Sequence, residues 1–245
     1  MTMTKMTSVL VLMAGLTTAV ASEAQAQTKP APASRAFVNI TGGAQPQRRE
    51  LGKTDTFTLY EEKATLTSSQ PIKNGVFFDV SGGYRIGQSF AIGAGFSSFS
   101  TTSSASVVAT IPNPLFFDQL KTVTSSADGL EHTERGIHLQ AVWFVPVTDK
   151  IDVALSAGPS FIQVNQHLVS SVTVPTGTQN INVVTGTEEG TAKGVNVGFD
   201  GTYLFTRNIG VGLMIRYAGG SVDLPSAPGL SVGGFQGGLG ARIRF

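Results

Sequence analysis

Cysteine is absent from this 245-residue chain, which excludes both a disulfide framework and a lipid-modified cysteine. Charge is scarce too. Only 13% of residues are Asp, Glu, Lys or Arg, and a formal net charge of +1 leaves no basic stripe for nucleic acid and no acidic tail. Imidazole is limited to His132, His138 and His167, with no His-x-x-x-His spacing for a metal. Glu131, His132 and Glu134 therefore read as a loose acidic loop, and no metal or cofactor is expected. Gly237-Gly-Leu-Gly240 lies in a strand pattern with no helix after it, so it is not a phosphate cradle. Long hydrophobic runs are missing as well, since none reaches the roughly 20 residues of a membrane helix.

What the chain does hold is glycine, 29 residues of it, beside an ordinary 41% of hydrophobic residues. That mixture fits strands with one apolar face and one small or polar face. At the start, Lys5, the apolar run Ser8 to Ala21 and the small-x-small site Ala24-Gln-Ala26 form the pattern of a secretory signal peptide over 1–26. Residues 27–34 (QTKPAPAS) read as a flexible Pro/Ala lead-in, and 35–245 as one domain.

The last residues show the organising rule. Phe235, Leu239, Ala241, Ile243 and Phe245 alternate with Gln236, Gly238, Gly240, Arg242 and Arg244; a strand with this period puts the oily set on one face and the arginines on the other. Oily outside and polar inside is the sidedness of a strand facing lipid. Three short polar connections, 85–88, 148–150 and 206–208, separate alternating segments, and Ser/Thr-rich stretches separate the others. Short turns alternating with long loops predict an all-β fold, an eight-stranded antiparallel transmembrane β-barrel with short periplasmic turns and long extracellular loops. The strands are expected at 36–46, 75–85, 89–100, 135–147, 151–164, 194–205, 209–222 and 233–245, with loops at 47–74, 101–134, 165–193 and 223–232. A ten-stranded alternative adds a hairpin at 54–69, against which stands the lack of a short turn signal there.

Period two then sorts the side chains. Asp79, Arg85, His138, Gln140, Asp152, Asp200, Arg216, Arg242 and Arg244 fall on the inner face as a lumen polar network of nearly balanced charge, because buried charges persist only when paired. No charged residue falls on the oily face. Tyr84, Trp143, Tyr203, Phe205 and Phe245 lie beside periplasmic turns or ends, as an aromatic girdle and assembly signal require. Within the long loops, 104–110 opposite 121–124 and 167–174 opposite 181–184 have strand-like composition, so strands are expected to project as hairpins. The cluster Ile111-Pro-Asn-Pro-Leu-Phe-Phe117 is expected to fold back as a cap. Arg48, Arg49 and Lys53 stand among Glu50, Asp55, Glu61 and Glu62 in a mixed loop.

With its signal peptide, eight alternating segments, three tight turns and final Arg-Ile-Arg-Phe, the chain resembles the small outer-membrane β-barrel proteins of Gram-negative bacteria, of OmpA/OmpX/OmpW type. The resemblance implies residence in the outer membrane, export by a cleaved signal peptide, insertion by the barrel assembly machinery, contact with outer-membrane lipids and lipopolysaccharide, and a monomer. It carries no functional motif; in particular, the His-x-Ser of outer-membrane lipid deacylases is missing. The expected role is structural or surface-interactive, in envelope integrity or adhesion, and not enzymatic. A narrow channel or conduit for small or hydrophobic solutes is the alternative, with an extracellular protein or a small hydrophobic ligand as candidate partner.

Overall fold

The computed structural model describes residues 35–47, 49–175 and 180–245; the expected signal peptide, the lead-in and Arg48 lie outside the described residues. Ten antiparallel strands form one sheet: β1 Ala36–Gln45, β2 Arg49–Leu59, β3 Glu62–Ile72, β4 Gly75–Arg85, β5 Phe90–Pro112, β6 Leu120–Pro146, β7 Ile151–Thr173, β8 Asn182–Leu204, β9 Ile209–Leu224 and β10 Ala227–Arg244. β1 pairs with both β10 and β4, and β5 pairs with β6, so the sheet closes on itself. Near the periplasmic turns the ring holds eight strands. β1–β2 is one rising wall element broken around Pro46, and β3–β4 is one descending element broken at Lys73–Asn74. Pro46 has no N–H to give the ladder, and the side chain of Asn74 accepts from the Gln47 N–H at 2.8 Å, which spans the break.

The two expected projecting hairpins are present, and the loop bounds are corrected here. β5 and β6 pair without interruption from Phe90↔Trp143 to Pro112↔Leu120, apart from a bulge at Ser103/Ala105, and β7 and β8 pair from Ile151↔Tyr203 to Thr173↔Asn182. The 47–74 segment is itself a β2–β3 hairpin in full register from Arg49↔Ile72 to Leu59↔Glu62. Its two-residue turn, Tyr60–Glu61, has positive φ at both positions (52° and 67°). That is the type I′ geometry usually given to Asn-Gly, which is why no turn signal marks it.

Along each strand, what the two faces are made of changes at one level. From the periplasmic turns upward for about ten residues, the span of a tilted membrane strand, outward side chains are oily: Phe90, Ile92 and Phe96 on β5, Ile137, Leu139 and Trp143 on β6, Ile209 to Tyr217 on β9. Above that level the outward face becomes Ser100, Thr102, Ser104 and Ser106 on β5, Arg135 on β6 and Lys193 on β8. Inward residues reverse in step, becoming Ala105, Val107, Ala109 and Ile111 on β5 and Val222 and Leu224 on β9, which pack into two apolar clusters. At the boundary itself, from Phe96 to Thr102 on β5 and from Val195 to Lys193 on β8, the register does not slip; the side chains exchange roles, as two different surroundings require.

This exchange predicts opposite fates for one substitution at two outward positions of β5. Ala94→Arg places a charge in the oily band and costs about 2–4 kcal/mol, abolishing the folded, heat-modifiable form on gels. Ser106→Arg, on the same face above the band, leaves that form at wild-type yield.

Candidate functional site

In the membrane span, inward residues stack in tiers of paired charge. Arg242 reaches Asp200 through two nitrogens, Nε at 3.0 Å and Nη2 at 2.5 Å, and its Nη1 donates to Thr41 at 3.1 Å. Above it, Arg216 Nη2 stands 2.8 Å from Asp79 Oδ2, and both side chains are fully buried. Below, Asp152 lies between Arg85 (3.7 Å) and Arg244 (4.0 Å). Arg85 sits 3.9 Å above the ring of Phe144, and Phe144 packs edge-on against Phe37, so cation–π contact closes the periplasmic mouth. His138 is held between two hydroxyls, Ser97 and Ser160, each at 2.8 Å. Asn196 donates to that same Ser160 and lies 3.4 Å from Gln140. All nine expected lumen residues therefore face inward. The inner face is less polar than expected, for Phe37, Phe77, Phe99, Phe144 and Met214 are buried among them.

Glycine makes room for these arginines. A Cβ on Gly212 would lie 2.4 Å from Arg242 Nε, and one on Gly198 would lie 2.8 Å from Ser156 Oγ. A guanidinium thus fills the gap at Gly212 and a hydroxyl the gap at Gly198. A cavity among Asn39, Ser81, Gln140 and Arg216 measures about 40 Å³, room for a few water molecules.

Just above the oily band the tiers continue as a chain of directed bonds. Arg216 Nε donates to Gln236 (2.8 Å), Gln236 to Gln45 (2.7 Å) and Gln45 to Glu134 (2.9 Å). Glu134 Oε1 meets His132 Nε2 at 3.0 Å and accepts from the Gly233 N–H at 2.9 Å; His132 Nδ1 meets Gln166 at 2.6 Å. Glu134 lies beyond Ile137, the last oily outward residue of β6. Burial pushes its carboxyl upward, but the bond and charge of His132 with the Gly233 and Gln45 donors bring it below its ordinary value. Sequence reasoning placed His132 and Glu134 in a loose loop. They are buried strand residues, and their partners Gln45, Gln166 and Gly233 lie far away in sequence.

On one side the upper wall is open. Among the described residues β2 pairs only with β3, and β10 above Gly237 pairs only with β9. Arg49 crosses this seam, its guanidinium donating to the carbonyls of Ser231 and Gly233, while Gln47 donates to Gly233 at 3.1 Å. Arg49 also stands 3.6 Å from Glu134. Side-chain donors thus cover an edge that otherwise invites another strand. A cleft of about 530 Å³ opens here, lined by Arg49, Leu51, Lys53, Leu168 and Leu230 among others.

Tyr84, Trp143, Tyr203, Phe205 and Phe245 all project outward at the periplasmic rim, each 44% to 64% exposed. Phe90 stacks on Trp143 at 6.4 Å, and at the opposite edge of the band Tyr217 meets Phe235 at 5.2 Å. An oily belt with aromatics at both edges, around an interior of paired charges, defines a membrane-spanning β-barrel of outer-membrane type. No protein-family model matches the chain, and no curated protein matches it either. Among solved structures it is similar to the Neisserial surface protein A, NspA (14% identity, 88% of this chain and 100% of that one, TM-score 0.49). It is also similar to OprG of Pseudomonas aeruginosa (9%, 87% and 97%, 0.47) and to Ail, the attachment invasion locus protein of Yersinia pestis (12%, 86% and 99%, 0.42).

Two predictions concern these networks. Arg242→Leu leaves the Asp200 carboxylate unpaired and lowers unfolding free energy by about 3–5 kcal/mol, whereas Arg242→Leu with Asp200→Leu regains most of it; urea titration in lipid vesicles measures both. Because the folded Glu134 value is depressed, its stabilisation is complete above the ordinary carboxylate range and is lost as pH falls through that range and below it. Amides of 229–233, once corrected for the intrinsic exchange rate at each pH, should therefore lose protection at acid pH in the wild type, and Glu134→Gln should remove this pH dependence.

Proposed function

We propose that this chain is a sealed outer-membrane barrel whose work is done above the membrane, carrying a rigid β-sheet platform for contact with other molecules. The observation that carries the reading is the lumen: three tiers of paired Arg and Asp stack through the membrane span, and a cavity among them measures about 40 Å³. An eight-stranded interior is just wide enough for side chains, and these are locked by charge. Above the plug, the wall is a folded extension with its own apolar core and not a set of loose loops. Catalysis draws no support from His138, which is enclosed between Ser97 and Ser160 beneath that core.

Lipopolysaccharide contact is part of the proposal. Arg135 and Lys193 face outward immediately above Ile137 and Val195, at the level of lipid phosphates, where charge-assisted bonds are strongest. A second reading, a site for a small amphiphilic ligand, is favoured by the seam cleft, whose volume lies within the usual range of such sites.

Planar-bilayer recording tests the main reading. Wild-type protein should give flat traces at both polarities, and Asp79→Ala with Arg216→Ala should give discrete small steps. Steady conductance through the wild type would reject the sealed lumen.

A further inference from the structure

Leu115, Phe116 and Phe117 form the tip of the β5–β6 hairpin and are 83%, 58% and 72% exposed. The expected cap does not form: Ile111 is buried in the upper core, but the three residues after Pro114 stand free of it. Leu120 beside them and Tyr60 of the β2–β3 turn are also exposed. The two tips are tied together, because the Asp118 N–H donates to Glu62 at 3.2 Å.

We propose that this tip inserts into a second lipid bilayer apposed to the outer surface. The proposal rests on the surface-contact reading and names its partner. Geometry excludes the protein's own leaflet. From Phe96, where the oily band on the outer face of β5 ends, to Pro112 the strand runs for about 16 residues, which at ~3.3 Å each and a tilt of about 45° lifts the tip roughly 40 Å above the oily band. The shape argues against a protein pocket as partner. Leu115, Phe116 and Phe117 occupy a turn, not a strand, so consecutive side chains leave in different directions, and a single protein face would cover only some of them. A fluid apolar medium surrounds all three.

The tip's backbone is prepared for such a medium. Asn113 N–H donates to Gln119 O at 2.7 Å, and the Leu115 N–H donates to the Asn113 side chain at 2.9 Å, so insertion carries those amides in already bonded. Charges around the tip come in both signs, Lys63 and Lys121 against Glu61, Glu62 and Asp118. Uncharged lipid therefore suffices, and no anionic surface is needed.

The test uses the full barrel in nanodiscs with Trp143, the sole tryptophan, changed by Trp143→Phe and a reporter placed by Phe116→Trp. Phosphatidylcholine vesicles should shift the reporter's emission to the blue and float the protein. Leu115→Asp with Phe117→Asp should lower vesicle affinity at least about tenfold while heat-modifiable migration stays intact. An unshifted spectrum, flotation indifferent to the two aspartates, or a blue-shifted reporter before vesicles are added would overturn the proposal, the last by placing the tip in its own bilayer. Binding that requires phosphatidylglycerol and disappears in high salt would also overturn it, in favour of adsorption through Lys63 and Lys121. None of these results bears on whether the lumen conducts, so the sealed barrel stands or falls separately.

Discussion

A strand in hydrocarbon must bond every backbone group to a neighbour and expose only oily side chains. The same strand in water must do the opposite with its side chains. β5, β6, β7 and β8 are each long enough to meet both demands, and the architecture follows from that conflict. Closure of β1 on β10 removes the edge within the membrane. The outward face then changes from Phe96 to Ser100 on β5, and from Val195 to Lys193 on β8, without any change of register. The barrel is thus two proteins in series on one set of strands, an inverted lower half and an ordinary upper half.

The inverted half has a difficulty that the ordinary half lacks, because its polar residues have no water to face. Arg242, Arg216 and Arg244 are buried as deeply as any core leucine. A lone buried charge costs several kcal/mol, and pairing offsets that cost only when geometry is good. The double contact of Arg242 to Asp200 supplies that geometry, Asp152 adds longer-range attraction to Arg85 and Arg244, and glycines at 198 and 212 supply the space. Small residues in a barrel wall are therefore no indication of a pore by themselves; what matters is the size of the side chain lying over them.

The membrane half of the fold was legible because its contrast is extreme. Arg242 and Arg244 beside Ile243 and Phe245 admit one sidedness only, and the short turns fix the count at eight. The upper half was legible only in part, as the two hairpins at 104–124 and 167–184, and its full extent was hidden for three physical reasons. Its alternation pairs Ser with Ala or Val, too weak a contrast to mark where strand ends and loop begins. Its phase is reversed relative to the oily band. The Tyr60–Glu61 turn takes positive φ twice without the Asn or Gly that usually reports it. Of the lumen site, the nine residues given by periodicity face inward, but the Gln45, Glu134, His132 and Gln166 chain was invisible. Those four come from β1, β6 and β7, and only closure of the sheet brings them together.

That chain also explains where the barrel is weakest. β2 leaves β10 directly above the last β1–β10 pair, Ala44↔Gly237, so the seam begins where the hydrocarbon ends and an open edge can be tolerated. Instead of a ladder, Arg49 and Gln47 hold the seam through carbonyls at 231 and 233, and Glu134 anchors both Arg49 and the Gly233 amide. Side-chain latches open more easily than a strand pair, since each rests on one rotamer and not on a cooperative row. The upper half is therefore held most firmly within the β5–β6 and β7–β8 hairpins, each paired to its tip apart from one irregularity, and is adjustable at the seam. The proposed platform would gain its reach from the first and its adaptability from the second.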